Sequence, residues 1–156
     1  MVRHFFAHVA GESFTNRDGS DRQAIIASCR VGESLILDPE PHNPKDANAV
    51  RVLREDGKQI GYLERKMAAR LVDDLSDFSA FVAGVGRGRG PYLGVSLLIV
   101  ANDGRETADV DDYARGVLEA EGNFGSTAVR RAGDLRWAYF ALGIALGTVG
   151  VFLWLL

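Results

Sequence analysis

The sequence has few of the residues from which catalytic and metal sites are built. Its 156 residues include one cysteine and three histidines, which excludes an intramolecular disulfide and falls short of a zinc-binding framework. No G-x-x-x-x-G-K-[ST] string is present, so a phosphate-binding loop of that type is excluded. The segment Gly11–Thr15 lacks the second glycine of a nucleophile elbow. The sequence therefore predicts a protein that is not an enzyme and that carries neither a metal nor a cofactor.

An excess of positive charge is also absent. Residues 1–100 carry 13 Lys and Arg against 13 Asp and Glu, and residues 101–136 carry 5 against 8. The totals of 18 basic and 21 acidic residues give the net charge of −3. A neutral domain lacks the broad positive surface that drives nonspecific binding to nucleic acid. Any affinity for nucleic acid must therefore come from a local site.

Charge is missing altogether from residues 137–156, which read WAYFALGIALGTVGVFLWLL. Twenty apolar residues at about 1.5 Å per residue form a helix of roughly 30 Å, which is the thickness of the hydrocarbon core of a bilayer. Trp137 and Trp154 lie near the two ends, where aromatic residues meet the membrane interface. This segment is predicted to be a single transmembrane helix, and the alternative is a buried core helix.

The flanks of this segment predict its orientation and its contacts. Arg130, Arg131 and Arg136 precede it, so the positive-inside rule predicts a cytoplasmic N-terminal domain on a single-pass membrane protein. Gly143 and Gly147 form a G-x-x-x-G pair, which allows two helix backbones to approach closely. They predict a homodimer, although glycine is also frequent in membrane helices that do not pair.

Before this tail, short alternating runs predict a protein that is mainly β with two short helices. A capping box at Ser20–Gln23 opens the first helix, and Arg65–Leu75 is the second. Such a pattern favours a small, partly closed β-barrel. Residues 101–136 have few apolar side chains and are predicted to be a tether, with at most a marginal helix over Ala108–Glu121. The predicted strands are Val2–Val9, Ser34–Leu37, Ala49–Leu53, Gln59–Leu63, Ser79–Val85 and Tyr92–Val100.

The most specific pattern is an ordered pair of strings in the middle of the chain. N-P-x-D-x-N-A-V runs over Asn43–Val50, and D-G-x-x-I-G-Y-L runs over Asp56–Leu63 with a hairpin turn at Asp56-Gly57. These strings resemble the HIRAN domain. The resemblance implies a barrel similar to an OB-fold, and it divides the chain into a HIRAN-like domain at 1–100, a linker at 101–136 and the transmembrane helix at 137–156.

The resemblance also implies a binding site. HIRAN domains of DNA-repair helicases hold the 3′ end of single-stranded DNA: an acidic side chain meets the terminal hydroxyl, aromatic rings stack on bases, and basic groups meet phosphates. Asn43 and Asp46 match the pocket positions of the motif, and Phe14 matches an aromatic position. Three positions depart from the family, since Lys45 replaces a stacking tyrosine, Ser13 an arginine and Thr15 an aromatic. One stacking ring and one phosphate contact are therefore missing.

Each site residue has a second interpretation. Asn43 and Asp46 can act only as caps of their loop, and Phe14 can belong to the core. Lys45 is a candidate contact as a cation over a base, where it would partly replace the lost ring, or it is a solvated charge. Arg87 and Arg89 are candidate phosphate contacts on a glycine-rich turn, or part of an exposed loop with no ligand. The sequence thus predicts a membrane-anchored module that binds single-stranded DNA at its 3′ end. The alternative is a membrane-tethered protein-interaction or regulatory module that has lost this binding.

Overall fold

A computed structural model of the protein describes residues 4–87 and 90–128, with side chains described as far as Glu121. Six strands and three α-helices follow one another along this part of the chain. The elements are β1 (His4–Ala10), α1 (Arg22–Ala27), β2 (Ser34–Pro39), β3 (Val50–Arg54), β4 (Gln59–Leu63), α2 (Arg65–Leu71), a 3₁₀ helix (Val72–Asp77), β5 (Phe78–Arg87), β6 (Leu93–Ala101) and α3 (Thr107–Ala128).

The six strands form a closed antiparallel barrel in the order β1-β4-β3-β2-β5-β6. Strand β1 closes it, because its first five residues pair with β6 from His4 opposite Val100 and its end pairs with β4 at Val9 and Leu63. Closure leaves no free edge between these strands. The mainly β fold predicted from the alternating runs is confirmed, but the expected partial closure is wrong.

Local chemistry explains the strand junctions. The β3–β4 hairpin turns at Gly57, whose φ of +81° favours glycine. At Gly61, a side chain would lie 2.6 Å from the carbonyl oxygen of Ala10 and would collide with Val9. The glycine of the G-Y-L string is therefore needed for the close approach of β1 to β4.

The short helices differ slightly from the predicted ones. Asp21 is the N-cap of α1 and accepts a hydrogen bond from the Gln23 amide at 2.9 Å, so the capping box predicted to open at Ser20 is wrong by one residue. The predicted helix Arg65–Leu75 is α-helical only to Leu71 and continues as the 3₁₀ helix. Both α1 and α2 contribute apolar residues to the inner core, among them Ile25, Ile26, Ala68 and Leu71.

Helix α3 lies where a tether was expected, and it includes Ala108–Glu121, for which at most a marginal helix was predicted. Val110, Ala114 and Leu118 recur every four residues on one face and are buried against Leu98 and Phe81 on the outside of β6 and β5. The segment has few apolar residues, but those it has share one stripe. Burial of that stripe on the barrel explains why residues 107–121 form a docked helix rather than a tether.

Across the described residues, no helix is both long and apolar enough to span a bilayer. The predicted transmembrane segment at 137–156 lies outside the described residues, as do Gly143, Gly147 and the arginines that precede the segment. The membrane anchor and its pairing remain predictions.

Candidate functional site

The segment between β2 and β3 is a chain of tight turns fixed by its own side chains. Backbone hydrogen bonds join Asn43 N to Glu40 O at 2.9 Å and Ala49 N to Asp46 O at 3.0 Å. The Asn43 side-chain oxygen accepts from Lys45 N at 2.9 Å, and Asp46 Oδ1 accepts from Asn48 N at 3.0 Å. Both residues therefore cap the loop, as one of the two interpretations expected. Capping occupies one oxygen of Asp46 and leaves the other for further contacts.

That second oxygen faces a cation. Asp46 Oδ2 lies 3.1 Å from Nε of Arg65, the first residue of α2. The Arg65 side chain is 76% exposed, whereas the Asp46 side chain is only 21% exposed. An exposed arginine is easily displaced, because solvent-exposed ion pairs contribute little net free energy. Arg65 was missed from the sequence, where it reads as the start of an ordinary helix.

Glu40 organises the other end of the loop. Its Oε2 accepts from Asn43 Nδ2 at 2.7 Å and from the Tyr62 hydroxyl at 3.1 Å, while its Oε1 lies 3.2 Å from Arg17. Burial raises the pKa of the Glu40 carboxyl, but the hydrogen bonds from Asn43 and Tyr62 and the charges of Arg17 and Arg51 outweigh it. The pKa of Glu40 is therefore below its ordinary value, and the carboxylate is ionised at neutral pH.

Phe14 lies on the surface, with 67% of its area exposed. The alternative that Phe14 belongs to the core is therefore wrong. Its amide donates to Gly11 O at 3.3 Å in the turn after β1. Gly11 O also accepts from Nη1 of the buried Arg22 at 2.7 Å, and the Arg22 guanidinium lies 5.4 Å from the centre of the Tyr62 ring. The turn that carries Phe14 is thus connected through Arg22 and Tyr62 to Glu40.

The structure places Asn43, Lys45 and Asp46 together in one loop and Phe14 on a separate turn. Asn43, Lys45 and Asp46 share a single loop, and Lys45 is exposed there with its carbonyl oxygen 3.4 Å from Arg65 Nη2. Within the described residues, the link from Phe14 to this loop runs through Arg22, Tyr62 and Glu40. We name the set of residues Phe14, Asn43, Lys45, Asp46 and Arg65 the loop site.

The start of β6 also contacts the turn that carries Phe14, through Gln23. Gln23 exchanges hydrogen bonds with Leu93 at 2.7 and 3.0 Å and also donates to Glu12 O at 3.0 Å, which ties the start of β6 to the β1–α1 turn. Arg87 is exposed at the end of β5, opposite Leu93 in register. Tyr92 is 53% exposed next to Leu93, and the sequence pattern assigned it only to a strand. Arg89 lies outside the described residues.

The chain is similar to known proteins that carry one kind of domain. Residues 2–96 match the family model described as HIRAN domain. Over 53 residues the chain is 40% identical to helicase-like transcription factor of Oryctolagus cuniculus and 38% identical to that of Mus musculus. The match covers 34% of this chain and only 5% of each of those proteins.

Two solved structures are similar in shape. The HIRAN domain of human HLTF is 20% identical, with a TM-score of 0.47 over 63% of this chain and 74% of that one. A protein from Lactobacillus plantarum is 19% identical, with a TM-score of 0.46 over 65% of this chain and 99% of that one.

Proposed function

Because the family model covers most of its length, the chain belongs to the HIRAN domain family, and on that premise we propose that it is a nucleic-acid-binding module. Its ligand is the 3′ end of single-stranded DNA, which it holds at the loop site. Residues 137–156 anchor this module in a membrane, with the barrel on the cytoplasmic side.

The exposure of Phe14 is the observation that carries the proposal. A phenyl ring left in water gains stability when it is covered, and a nucleobase is a flat partner that every single strand presents. Folding alone would favour burial of this ring. The turn that holds it is instead fixed from behind by the hydrogen bond from Arg22 to Gly11. A ring held outward on a fixed turn supports a role in stacking.

Asp46 accepts a hydrogen bond from the 3′ end of the DNA strand. A 3′-terminal hydroxyl donates one hydrogen bond, and an ionised carboxylate is a strong acceptor for it. Asp46 Oδ1 keeps the loop closed through Asn48, while Oδ2 is available to the hydroxyl once Arg65 moves. The displaced Arg65 and the exposed Lys45 then lie beside the last phosphate, where cations are favourable.

The departures from the family predict weak binding. Lys45 cannot stack as an aromatic ring does, and Ser13 provides no charge. Loss of one stacked base costs roughly 1–3 kcal/mol. Anchoring in a membrane raises the local concentration of sites and offsets part of that loss through avidity.

The test is a titration of the 156-residue chain in detergent with labelled oligonucleotides. An oligonucleotide with a free 3′ hydroxyl should bind more tightly than the same sequence with a 3′ phosphate. Asp46→Ala should abolish this preference. Asp112→Ala is the matched control, because Asp112 also pairs with an exposed arginine, Arg115, but lies on α3. Equal binding of free and blocked ends by the unmodified protein would favour the protein-interaction module instead.

Lys45→Tyr restores the aromatic ring of the family in the same loop. It should tighten binding of the free end by roughly 1–3 kcal/mol, since a stacked base becomes available. The same titration measures it, and Lys66→Tyr on the exposed part of α2 is the control for a tyrosine added elsewhere. No gain from Lys45→Tyr would mean that this position does not face a base.

The anchor has a separate test. The protein should remain in the membrane fraction after extraction with alkaline carbonate, and protease added outside intact cells should leave the barrel whole. Removal of the barrel by that protease would show the opposite orientation.

A further inference from the structure

A polar cleft lies beside the loop site, on the outer face of the β3–β4 hairpin. Its volume is about 310 Å³, which is at the lower end of the range for small-ligand pockets. Arg51, Leu53 and Tyr62 contribute from the strands, and the turn at residues 16–18 forms the opposite wall. We call this the hairpin cleft. Its lining residues are Asn16, Arg17, Asp18, Glu40, Arg51, Leu53, Gly57, Gln59 and Tyr62.

Glu40 joins the hairpin cleft to the loop site. It lines the cleft, and it also accepts hydrogen bonds from Asn43 of the loop and Tyr62 of the cleft on the same oxygen. A strand whose last nucleotide lies at Asp46 therefore has the cleft as a neighbouring surface. The Arg17 side chain reaches Glu40 from the opposite wall and is 80% exposed, so it can move aside.

Arg51 is one of the two arginines that line the cleft. Arg51 pairs with Asp38 through Nη2, but its Nε is buried without a hydrogen-bond partner among the described residues. This Nε has almost no accessible surface, so a ligand in the cleft would meet the exposed part of the Arg51 side chain, which is 37% accessible, and not Nε.

From these contacts we infer that the hairpin cleft is a second subsite, which binds a nucleobase on the 5′ side of the captured 3′-terminal nucleotide. This inference rests on the proposed function and extends it from one nucleotide to a short strand. The terminal hydroxyl is recognised at Asp46, and an earlier base enters between the turn at residues 16–18 and the hairpin.

The charges of the cleft favour a base over a phosphate. Arg17 and Arg51 are balanced by Glu40 and Asp18, so the cleft has no net charge from these four groups. Hydrogen bonds from the Ser20 hydroxyl and amide hold the pKa of Asp18 below its ordinary value, so it is ionised. A phosphate would meet two carboxylates, whereas the edge of a base presents donors and acceptors together. The Tyr62 ring and Leu53 add apolar surface for the base.

The experiment scans a single-stranded octanucleotide with a free 3′ end for dependence on each base. Abasic residues replace single nucleotides at successive positions from the 3′ end, and affinity for the 156-residue chain in detergent is measured. One internal position should show a loss of about tenfold, within the range for one stacked base. The loss should be absent in Leu53→Trp, whose larger side chain fills the cleft.

Ile36→Trp is the matched control. Ile36 pairs with Leu53 across β2 and β3 and is exposed, but it does not line the cleft. This variant should keep the tenfold dependence. Should Leu53→Trp fail to fold, NMR of the wild-type protein decides: the side-chain amide signals of Asn16 and Gln59 should shift with the intact octanucleotide and remain unshifted with the abasic one.

The outcomes separate the two proposals. Equal affinity for free and blocked 3′ ends overturns the proposed function. A retained preference for the free end, together with affinity that is independent of every internal base, overturns only the cleft. An internal dependence that survives in Leu53→Trp assigns the base to another surface and also overturns the cleft.

Discussion

The two outer faces of the barrel are built from different residues. On β5 and β6, Phe81, Leu98 and Val100 point outward and are buried beneath α3. On β2 and β3, the outward residues include Asp38 and Arg51, which pair with each other, and the exposed Ile36. One face is therefore a second apolar core, and the other is a polar surface continuous with the loop site.

This difference shows how a small closed barrel separates stability from binding. Closure gives every strand a hydrogen-bonded neighbour on each side, so the barrel has no open edge for pairing with another chain. Helix α3 buries apolar residues on the face formed by β5 and β6. The face formed by β2 and β3 is therefore not needed for further apolar burial and can carry charged and exposed side chains. The residues that a ligand would contact are consequently not the residues that hold the barrel together.

The two faces should differ most in stability when a leucine is truncated to alanine on each. Leu98→Ala should lower the free energy of unfolding by about 2–5 kcal/mol, because Leu98 is completely buried between β6 and α3. Leu53→Ala on the polar face should cost about 1 kcal/mol or less, since Leu53 is only half-buried. Urea denaturation measures both. Equal losses of unfolding free energy in the two variants would mean that burial beneath α3 does not stabilise the barrel.

On the polar side, a substitution of Phe14 should change the affinity for a ligand more than the stability of the fold. Phe14→Ala should weaken binding of a single strand by roughly 1–3 kcal/mol through loss of stacking. Its free energy of unfolding should change by about 0.5 kcal/mol or less, because the ring is mostly exposed. Oligonucleotide titration and urea denaturation give the two values. A large loss of stability with unchanged affinity would assign Phe14 to packing.

The smallest expected effect is a change in stability with pH, caused by the ionisation of Glu40. The folded pKa of Glu40 is below the ordinary value of 4.5, so its contribution to stability is present above that pH and is lost as pH falls through the folded pKa. Wild-type protein should therefore lose more stability than Glu40→Gln between neutral and acidic pH, by at most about 1 kcal/mol. Thermal unfolding across this range measures the difference. Parallel curves would mean that the contacts of Glu40 do not stabilise the fold.

The sequence predicted most of the barrel because its signals are local. Alternation of apolar residues marks the strands, and Asp56-Gly57 marks the hairpin, where Gly57 has the positive φ that such a turn requires. The motif residues Asn43 and Asp46 were placed in one loop, which the structure confirms.

What the sequence did not predict depends on contacts between distant segments. The tether expected at 101–136 contains α3, which forms because Val110 and Leu118 meet a barrel surface that only the folded strands create. One signal was present: Leu97 to Val100 is an unbroken apolar run, and a strand that buries both faces needs a cover on its outside. Arg65 and the hairpin cleft were missed because their partners lie far away in sequence.

The closing of the barrel by β1 also sets the order of events during synthesis. His4 pairs with Val100, so one edge of β1 stays unpaired until β6, the last strand, has been synthesised. Until β6 is made, β1 and β5 present unpaired backbone to other chains, and the apolar Leu97–Val100 run then emerges with no helix over it. Such distant pairing is slow compared with helix formation. The newborn chain is thus most prone to aggregate just before its barrel closes.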